Sequence, residues 1–231
     1  TGVHGFVGSN LVEYLKSENE IYGLDIVCPE KDGVVRTFSW EDLEMPDRVG
    51  HDDRLWPEFD AIIHLAGKAH DTKNKSAAEV YFKVNTGLTQ KIFDYFLVSR
   101  ASKFVFFSTA KAAADKVEGI LTEDIIPNPV GPYGESKIKA EEYILCKELP
   151  INKQIYIFRP CMIHGPGNKG NLNLLYSVVR RGIPWPLGAF ENKRTFTSIE
   201  NMCFAVNGVL TKNIPSGIYN MGDDEALSTN E

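Results

Sequence analysis

The sequence lacks the features that would assign it to a membrane, to a nucleic acid or to an oxidising compartment. No apolar run approaches the ~20 residues that a membrane-spanning helix needs, and no secretory signal is recognisable. Acidic residues outnumber basic ones by 31 to 25, and the net charge of −6 argues against a nucleic-acid partner. The four cysteines stand far apart without paired spacing, which favours reduced thiols and a cytoplasmic location.

The composition that remains is that of an ordinary globular protein. With 231 residues, 43% of them hydrophobic and 24% charged, the chain can bury one substantial core and a smaller appended lobe. Neither an internal repeat nor a low-complexity tract is present. The indications of function therefore lie in the order of the elements and in short motifs.

Strand-like and helix-like segments alternate over residues 1–158. Strands are predicted at 21–27, 34–38, 59–66, 103–108 and 155–158, and helices from Ser9, over 77–98 and over 135–149. This alternation predicts an α/β fold, a Rossmann-type doubly wound parallel sheet with ligands at the carboxyl ends of its strands. Beyond Arg159, proline and glycine punctuation predicts loops and short elements laid over the sheet rather than further sheet. We therefore expect a nucleotide-binding domain over 1–158 and a small, C-terminally incomplete substrate-binding lobe over 159–231.

A glycine-rich turn, TGVHGFVGSN, opens the chain and leads into a helix. In a dinucleotide site the first glycine, here Gly2, permits a tight turn, Gly5 lets backbone N–H groups approach a pyrophosphate, and Gly8 lets helix and strand pack closely. The alternative is a glycine-rich loop without a ligand. Because such a turn normally follows a buried strand, the chain is expected to begin just inside its own nucleotide site.

Asp25 stands near the end of the next predicted strand, at the distance where a carboxylate receives the hydroxyls of the adenine ribose. A carboxylate there repels a 2′-phosphate, and no arginine follows it directly, so NAD is favoured over NADP. The alternative interpretation is a surface aspartate at a strand end.

Tyr133 and Lys137 stand one helical turn apart in GPYGESKIKAEE, so on a helix their side chains can share a face. A tyrosine with its ordinary pKa of about 10 is a poor base at neutral pH, and a nearby ammonium, along with the positive nicotinamide ring, is expected to lower that pKa. Thr109, after the strand KFVFFS, is expected to hydrogen-bond the same substrate oxygen. Separately these residues are typical of a solvated helix face and a helix cap. Together they predict a proton-transfer device.

Several short motifs follow one another in a characteristic order along nearly the whole chain. They are TGVHGFVG at 1–8, Asp25, HLAG at 64–67, VNTGLTQ at 84–90, FFSTA at 106–110, YGESK at 133–137, FRPCMIHGPG at 158–167 and YNMG at 219–222. Together they resemble the extended short-chain dehydrogenases/reductases, and within them the NAD-dependent nucleotide-sugar epimerase/dehydratase family of the UDP-glucose 4-epimerase-like kind.

The resemblance implies residues for the cofactor, the catalysis and the substrate. It implies that NAD is bound by Gly2, Gly5, Phe6, Val7, Gly8, Asp25, Leu65, Ala66, Gly67, Asn85, Tyr133, Lys137 and Pro160. It implies that Thr109, Tyr133 and Lys137 are catalytic, and that Thr109, Asn171 and Arg194 contact the nucleotide-sugar substrate. It also implies a homodimer, and apolar stripes on the helices over 86–98 and 135–149 suit a four-helix seam.

Three reactions at C4 of a nucleotide sugar share this apparatus: 4-epimerisation, 4,6-dehydration and reduction of a 4-keto sugar. Dehydratases of the family resemble one another in an acidic pair directly after the strand-end Ser/Thr, whereas Ala110 and Lys111 stand here. The sequence therefore favours NAD-dependent 4-epimerisation, with UDP as the expected nucleotide. One alternative is a 4-keto-sugar reductase of surface-polysaccharide synthesis. Another, of a different class, is a non-catalytic NAD-binding scaffold or sensor.

The histidines and one tryptophan are interpreted as structural. His64 is expected to pack within the sheet, and the histidines show no metal-ligand spacing, so no metal site is predicted. His164 is interpreted as a loop residue that makes local hydrogen bonds. Trp185, between two prolines, is expected in the core of the small lobe.

Overall fold

Helices and parallel strands alternate in the computed structural model, which describes residues 1–43, 56–69, 77–168, 171–182 and 193–228. The strands are β1 (Tyr22–Asp25), β2 (Arg36–Ser39), β3 (Ala61–His64), β4 (Lys103–Phe107), β5 (Gln154–Pro160), β6 (Met162–His164), β7 (Arg194–Ser198), β8 (Gly217–Met221) and β9 (Ala226–Leu227). The α-helices are α1 (Phe6–Leu15), α2 (Trp40–Leu43), α3 (Ala78–Tyr81), α4 (Leu88–Val98), α5 (Ala110–Ala113), α6 (Gly131–Leu145), α7 (Asn171–Arg180) and α8 (Ile199–Thr211). A π-helical turn, Phe82–Gly87, joins α3 to α4.

Parallel pairing dominates the sheets. The central sheet has the order β3-β4-β5-β8, with every neighbouring pair parallel, and β1 pairs with β2 in the same sense. The N–H of Gly2 donates to the carbonyl of Leu24 in β1, and the amino group of Thr1 donates to that of Ile63 in β3. Residues 1 and 2 therefore lie between these two strands. The predicted α/β fold with a parallel sheet is confirmed.

The inner strands are apolar on both sides, so helices cover both faces of the central sheet. On one face Phe104 and Phe106 of β4 belong to a core cluster with residues of α4 and α6. On the other face Val105 and Phe107 belong to a cluster with residues of α1 and α8. The two clusters place the hydrophobic core on either side of β4 and β5.

A small third sheet begins at the carboxyl end of β5, because the single residue Cys161 separates β5 from β6. β6 pairs with β7 in parallel, and β7 pairs with β9 antiparallel. In parallel α/β folds ligands bind at the carboxyl edge of the strands, so this sheet starts where a substrate is expected.

Two elements correct the expectation for the chain beyond Arg159. Helix α8, of 13 residues, packs on one face of the central sheet, and β8 extends that sheet beside β5. Every residue of β8 is only partly buried, so β8 lacks the continuous apolar run that marks the inner strands. The predicted division into 1–158 and 159–231 stays a prediction. Strand β5 crosses the predicted boundary, because it continues to Pro160.

Helix α6 begins at Gly131, earlier than the predicted start at 135, because Pro132 occupies its first turn, where a proline is tolerated. This start places Tyr133 inside the helix. Within the described residues, no helix combines the length and the apolar character that crossing a bilayer requires.

The apolar stripes of α4 and α6 are used within the protein. Ile92 and Phe96 of α4 and Ile144 of α6 are buried in the cluster against the sheet, whereas Asp94 and Lys139 are exposed. These three side chains therefore cover the sheet, and the dimer seam predicted along the two helices stays a prediction. The homodimer itself stays a prediction.

Candidate active site

The three predicted catalytic side chains meet at the carboxyl end of β4. Thr109 follows β4 and hydrogen-bonds Tyr133, which stands in the first turn of α6. Oγ1 of Thr109 also accepts the N–H of Lys111 at 3.3 Å and so caps α5. Lys137 lies one turn further along α6. The geometry thus unites the three residues, and their catalytic roles stay predictions.

Lys137 is buried, and its ammonium donates to the carbonyl oxygen of Phe107 at 2.7 Å. The ammonium also lies 4.8 Å from the centre of the Phe106 ring. Burial lowers the pKa of Lys137 to about 8, and the carboxylate of Glu141 acts in the opposite direction. Lys137 therefore carries its charge at pH 7 and loses it in mildly alkaline solution.

The protein environment of Tyr133, without a cofactor, disfavours its phenolate. Burial raises the pKa of Tyr133 above its ordinary value, and the hydrogen bond with Thr109 opposes that rise. Tyr81, whose ring lies edge-on at 6.5 Å, adds to the rise. The ammonium of Lys137 is directed to the carbonyl of Phe107, and the lowering of the Tyr133 pKa by this ammonium together with the nicotinamide ring stays a prediction.

Asn85 is fully buried in the π-helical turn and holds the loop that follows β3. Its Oδ1 accepts the N–H of Lys68 at 2.7 Å, and its Nδ2 donates to the carbonyl of the same residue at 3.1 Å. Nδ2 also donates to Oγ of Ser136, and this hydroxyl donates to the carbonyl of Tyr133. Asn85 therefore joins that loop to α6.

Gly2 and Gly8 of the glycine-rich turn stand where a side chain would not fit. Gly2 has a left-handed φ of +72°, and a Cβ there would lie 3.0 Å from the N of Ala66 and 3.3 Å from the carbonyl carbon of Leu65. A Cβ on Gly8 would lie 2.1 Å from the carbonyl oxygen of Gly2. The tight turn and the close helix packing predicted for these two glycines are thus present in the structure. Gly5 stands at the N-cap of α1.

Asp25 ends β1 beside this turn. Its Oδ2 accepts the N–H of His4 at 3.0 Å, and its Oδ1 accepts that of Ile26 at 2.7 Å. These bonds orient a half-buried carboxylate at the carboxyl edge of the sheet. The orientation suits the predicted contact with ribose hydroxyls.

The surfaces around the turn fit a dinucleotide. No side chain caps the first turn of α1, so the N–H groups at Phe6 and Val7 are available to an anion. A Cβ on Gly67 would lie 3.0 Å from Oδ1 of Asn85 and 3.1 Å from Nζ of Lys137, so bare backbone runs beside the ammonium. Pro160 ends β5 at the same edge. Backbone donors, a carboxylate and an ammonium are the groups that a pyrophosphate and a ribose require.

The predicted substrate contacts are described only in part. Asn171 begins α7, and its side chain lies outside the described residues, as does all of Trp185. Arg194 begins β7 and is exposed. Contacts of Asn171 and Arg194 with a diphosphate, and the packing of Trp185, therefore stay predictions.

Two histidines, His64 and His164, are interpreted from the sequence as structural residues. His64 is fully buried and stacks on Phe106, which confirms that it packs within the sheet. His164 lies in β6 rather than in a loop, with Nε2 3.6 Å from Oδ2 of Asp223. Among the described residues, no group of three side chains could hold a metal ion.

Sequence analysis missed three polar residues beneath Thr109 and Lys137, namely Ser108, Glu141 and Arg159. Glu141 and Arg159 form a buried ion pair, and the hydroxyl of Ser108 donates to the same carboxylate. The spacing contained a signal, because Glu141 stands one turn after Lys137 on the same face of α6. A charged residue in the apolar strand IYIFRP was a second signal.

Comparison with known proteins identifies the family. The sequence profile of the NAD dependent epimerase/dehydratase family matches residues 1–222. The chain belongs to this family. It is 31% identical over 216 residues to a UDP-glucose 4-epimerase of Vibrio cholerae, across 87% of this chain and 62% of that protein. It is 25% identical over 233 residues to the GDP-6-deoxy-D-mannose reductase of Pseudomonas aeruginosa, across 96% of this chain and 72% of that protein.

Solved structures share the fold of this family member. MoeE5 in complex with UDP-glucuronic acid and NAD superposes with a TM-score of 0.80 at 24% identity, over 99% of this chain and 77% of that chain. The chain spans about 62% of the length of the Vibrio cholerae relative.

Proposed function

We propose that this family member is an NAD-dependent nucleotide-sugar 4-epimerase, with UDP as the nucleotide. The observation that carries the proposal is the contact of Thr109 with Tyr133, one turn from the buried ammonium of Lys137, at the carboxyl edge of a parallel sheet. Two hydroxyls and an ammonium there can exchange a proton with a substrate oxygen. The similarity to a UDP-glucose 4-epimerase supports this reaction.

Each residue of the site has a separate role in the proposed reaction. Tyr133 takes the proton of the C4 hydroxyl when the 4-keto sugar forms and returns it when the epimer forms, while Thr109 aligns the same oxygen. NAD, when bound, supplies a reversible hydride acceptor for C4. The glycine turn and Asp25 would hold its adenosine and pyrophosphate part, and Lys137 its nicotinamide ribose. Rotation of the keto sugar between the two transfers then inverts C4.

The residues after Thr109 favour epimerisation over dehydration. Ala110 and Lys111 follow it, and Nζ of Lys111 pairs with Asp115 at 2.9 Å. Loss of water from C5 and C6 needs an additional acid and base, which a dehydratase of this family has directly after the strand-end residue. Epimerisation requires neither group.

Reduction of a 4-keto nucleotide sugar is the second candidate function. It is supported by the similarity to the GDP-6-deoxy-D-mannose reductase, which extends over 96% of this chain. Tyr133 would then donate its proton to the C4 oxygen once, as reduced cofactor delivers hydride. A non-catalytic NAD-binding scaffold is disfavoured because Thr109, Tyr133 and Lys137 are all present.

One experiment separates these functions. In one reaction the purified protein is incubated with UDP-glucose or UDP-N-acetylglucosamine without added cofactor, and in a parallel reaction it is incubated with a UDP-4-keto sugar and NADH. The products of both reactions are followed by NMR. Interconversion without net oxidation of cofactor supports the epimerase. Turnover that needs a 4-keto sugar and one reduced cofactor per product supports the reductase, and NAD binding without either reaction supports the scaffold.

We also propose that the protein is a cytoplasmic homodimer. The location is supported by the separate cysteines, of which Cys146, Cys161 and Cys203 form no disulfide. The dimer rests on the family resemblance alone. Sedimentation of a monomer at micromolar concentration would contradict it.

A further inference from the structure

A buried ion pair lies beneath the proposed catalytic residues. Glu141 and Arg159 are 0% and 2% exposed. Nη2 of Arg159 donates to Oε2 of Glu141 at 2.6 Å, and Nε donates to both carboxylate oxygens at 3.1 Å. Within the described part of the chain, Nη1 of Arg159 is buried without a hydrogen-bond partner. A pair with this unsatisfied donor is a poor device for stability alone, since burying two charges is costly.

The carboxylate of Glu141 connects the elements that carry the site. It accepts the hydroxyl of Ser108, the residue directly before Thr109, and it accepts the guanidinium of Arg159, the residue directly before Pro160. On α6 it stands one turn after Lys137 and two turns after Tyr133. Glu141 therefore bonds β4 and β5 at their carboxyl ends to the helix of Tyr133 and Lys137.

The surroundings of Lys137 give this carboxylate an electrostatic role. Two titratable groups act on or respond to the charge of Lys137, namely Glu141 of α6 and His64 of β3, and Arg159 of β5 is joined to it through Glu141. Tyr133 stands one turn before Lys137 on α6. Burial holds the pKa of His64 well below its usual value, so its ring is neutral at pH 7. Burial lowers the pKa of Lys137, and Glu141 opposes that effect.

We propose that Glu141 is a positioning residue: its buried carboxylate, held by Arg159 and Ser108 one helical turn from Lys137, retains the Lys137 ammonium for the cofactor ribose. The inference rests on the proposed function in one respect, the assignment of Lys137 to the cofactor. The carboxylate of Glu141 is occupied by Ser108 and Arg159, so Glu141 is proposed to contact neither substrate nor cofactor.

Binding of NAD as a function of pH tests the proposal without requiring turnover. Dissociation constants for NAD are measured by calorimetry between pH 6.5 and 9.5 for the protein, Glu141→Gln and the neighbouring exposed variant Glu142→Gln. We expect affinity to fall above pH 8 in the unmodified protein as Lys137 loses its proton. Glu141→Gln is expected to move the midpoint of this fall about one pH unit lower, which weakens binding about five-fold at pH 8 and close to ten-fold at about pH 9. Glu142→Gln makes the same charge change on the same helix and is expected to leave the midpoint unchanged.

A second variant covers the case in which Glu141→Gln fails to fold with the Arg159 charge unpaired. Glu141→Gln/Arg159→Met removes both charges, and circular dichroism confirms its fold before titration. A midpoint displaced toward lower pH supports the proposal. A midpoint equal to that of the unmodified protein, or affinity independent of pH before any substitution, overturns it. Failure of the proposed epimerase would be distinguishable, since it abolishes turnover and leaves this displacement measurable.

Discussion

The hydroxyl of Tyr133 is the single group on which the proposed chemistry depends most. Tyr133→Phe keeps the ring against Tyr81 and removes the proton that Thr109 helps to align. We expect turnover to fall by about 10² to 10⁴, the usual contribution of positioned acid–base catalysis, with little change in NAD affinity. Single-turnover hydride transfer, followed by nicotinamide absorbance, measures the effect. An undiminished rate would remove both the epimerase and the reductase proposals.

Position 8 requires glycine because its backbone packs directly against the backbone of Gly2, which leaves no room for a Cβ. Gly8→Ala would place a Cβ 2.1 Å from the carbonyl oxygen of Gly2 and 2.8 Å from Cα of Val3, and neither backbone atom can move aside cheaply. We expect the free energy of unfolding to fall by about 1–3 kcal/mol, and NAD affinity to fall with it.

Gly208→Ala is the matched control. Gly208 lies in α8, where a Cβ would meet its nearest neighbour, Cδ1 of Ile214, at an ordinary 3.9 Å. Alanine is the better helix former, so this variant is expected to be about 0.5–1 kcal/mol more stable. Urea unfolding of both variants makes the comparison, and equal stabilities would contradict the proposed role of Gly8.

Asp25 sets the expected preference for NAD. Its carboxylate, oriented by the N–H groups of His4 and Ile26, would repel a 2′-phosphate at the adenine ribose. We expect NADH to bind more tightly than NADPH, and Asp25→Ser to reduce the ratio of their affinities about ten-fold or more, equivalent to about 1.4 kcal/mol. Fluorescence titration with both reduced cofactors measures the ratio. Equal or tighter NADPH binding by the unmodified protein would refute the assignment.

At the scale of elements, a lysine side chain satisfies the end of α4. Nζ of Lys153 donates to the carbonyl oxygens of Phe96, Ser99 and Ala101 at 2.7–2.8 Å. These carbonyls lie at or beyond the last turn of the helix, where backbone partners are fewest, and the Phe96 carbonyl also accepts the N–H and the hydroxyl of Ser99. Nζ of Lys103 makes the same kind of contact at the end of α8.

Lys153→Met removes the charged donor and keeps much of the side-chain volume. We expect it to lower the free energy of unfolding by about 2–3 kcal/mol, because buried carbonyls lose a charge-assisted hydrogen bond. Lys116→Met, at an exposed position, serves as the control and is expected to change stability by less than about 0.5 kcal/mol. If chemical unfolding gives both variants the same stability, Lys153 does not have this role.

At the scale of the whole molecule, the neutral buried His64 makes stability depend on pH. Burial is the main cause of its lowered pKa, followed by the charge of Lys137. Below the unfolded pKa of about 6.5 the unfolded chain binds a proton that the native ring does not bind. The native state therefore loses stability as pH falls through this range, and it regains stability as pH rises toward 6.5.

The expected slope from this one group is at most about 1.4 kcal/mol per pH unit below pH 6.5. Urea unfolding at pH 5.5, 6.0 and 6.5 measures it in the protein and in His64→Asn, which cannot titrate. The variant is expected to be less stable at every pH, because it loses the stacking on Phe106. Its free energy of unfolding is also expected to change less steeply with pH. An identical slope would show that other groups cause the dependence.

The sequence by itself determined the features that depend on local geometry. Alternating apolar segments specified the parallel sheet, the glycine spacing specified a turn that tolerates no Cβ, and the separation of Tyr133 from Lys137 placed both on one face of a helix. The period of a strand or helix and the absence of a side chain act within a few residues, so they can be read without a fold.

Only the tertiary structure decided the features that join distant parts of the chain. It directed the ammonium of Lys137 to Phe107, clamped Asn85 to Ser136, and added β8 to the central sheet. It also buried the stripes of α4 and α6 and paired Glu141 with Arg159. These outcomes depend on which elements become neighbours and on the burial that follows, because burial sets both the pKa of an ionisable group and the need for a partner.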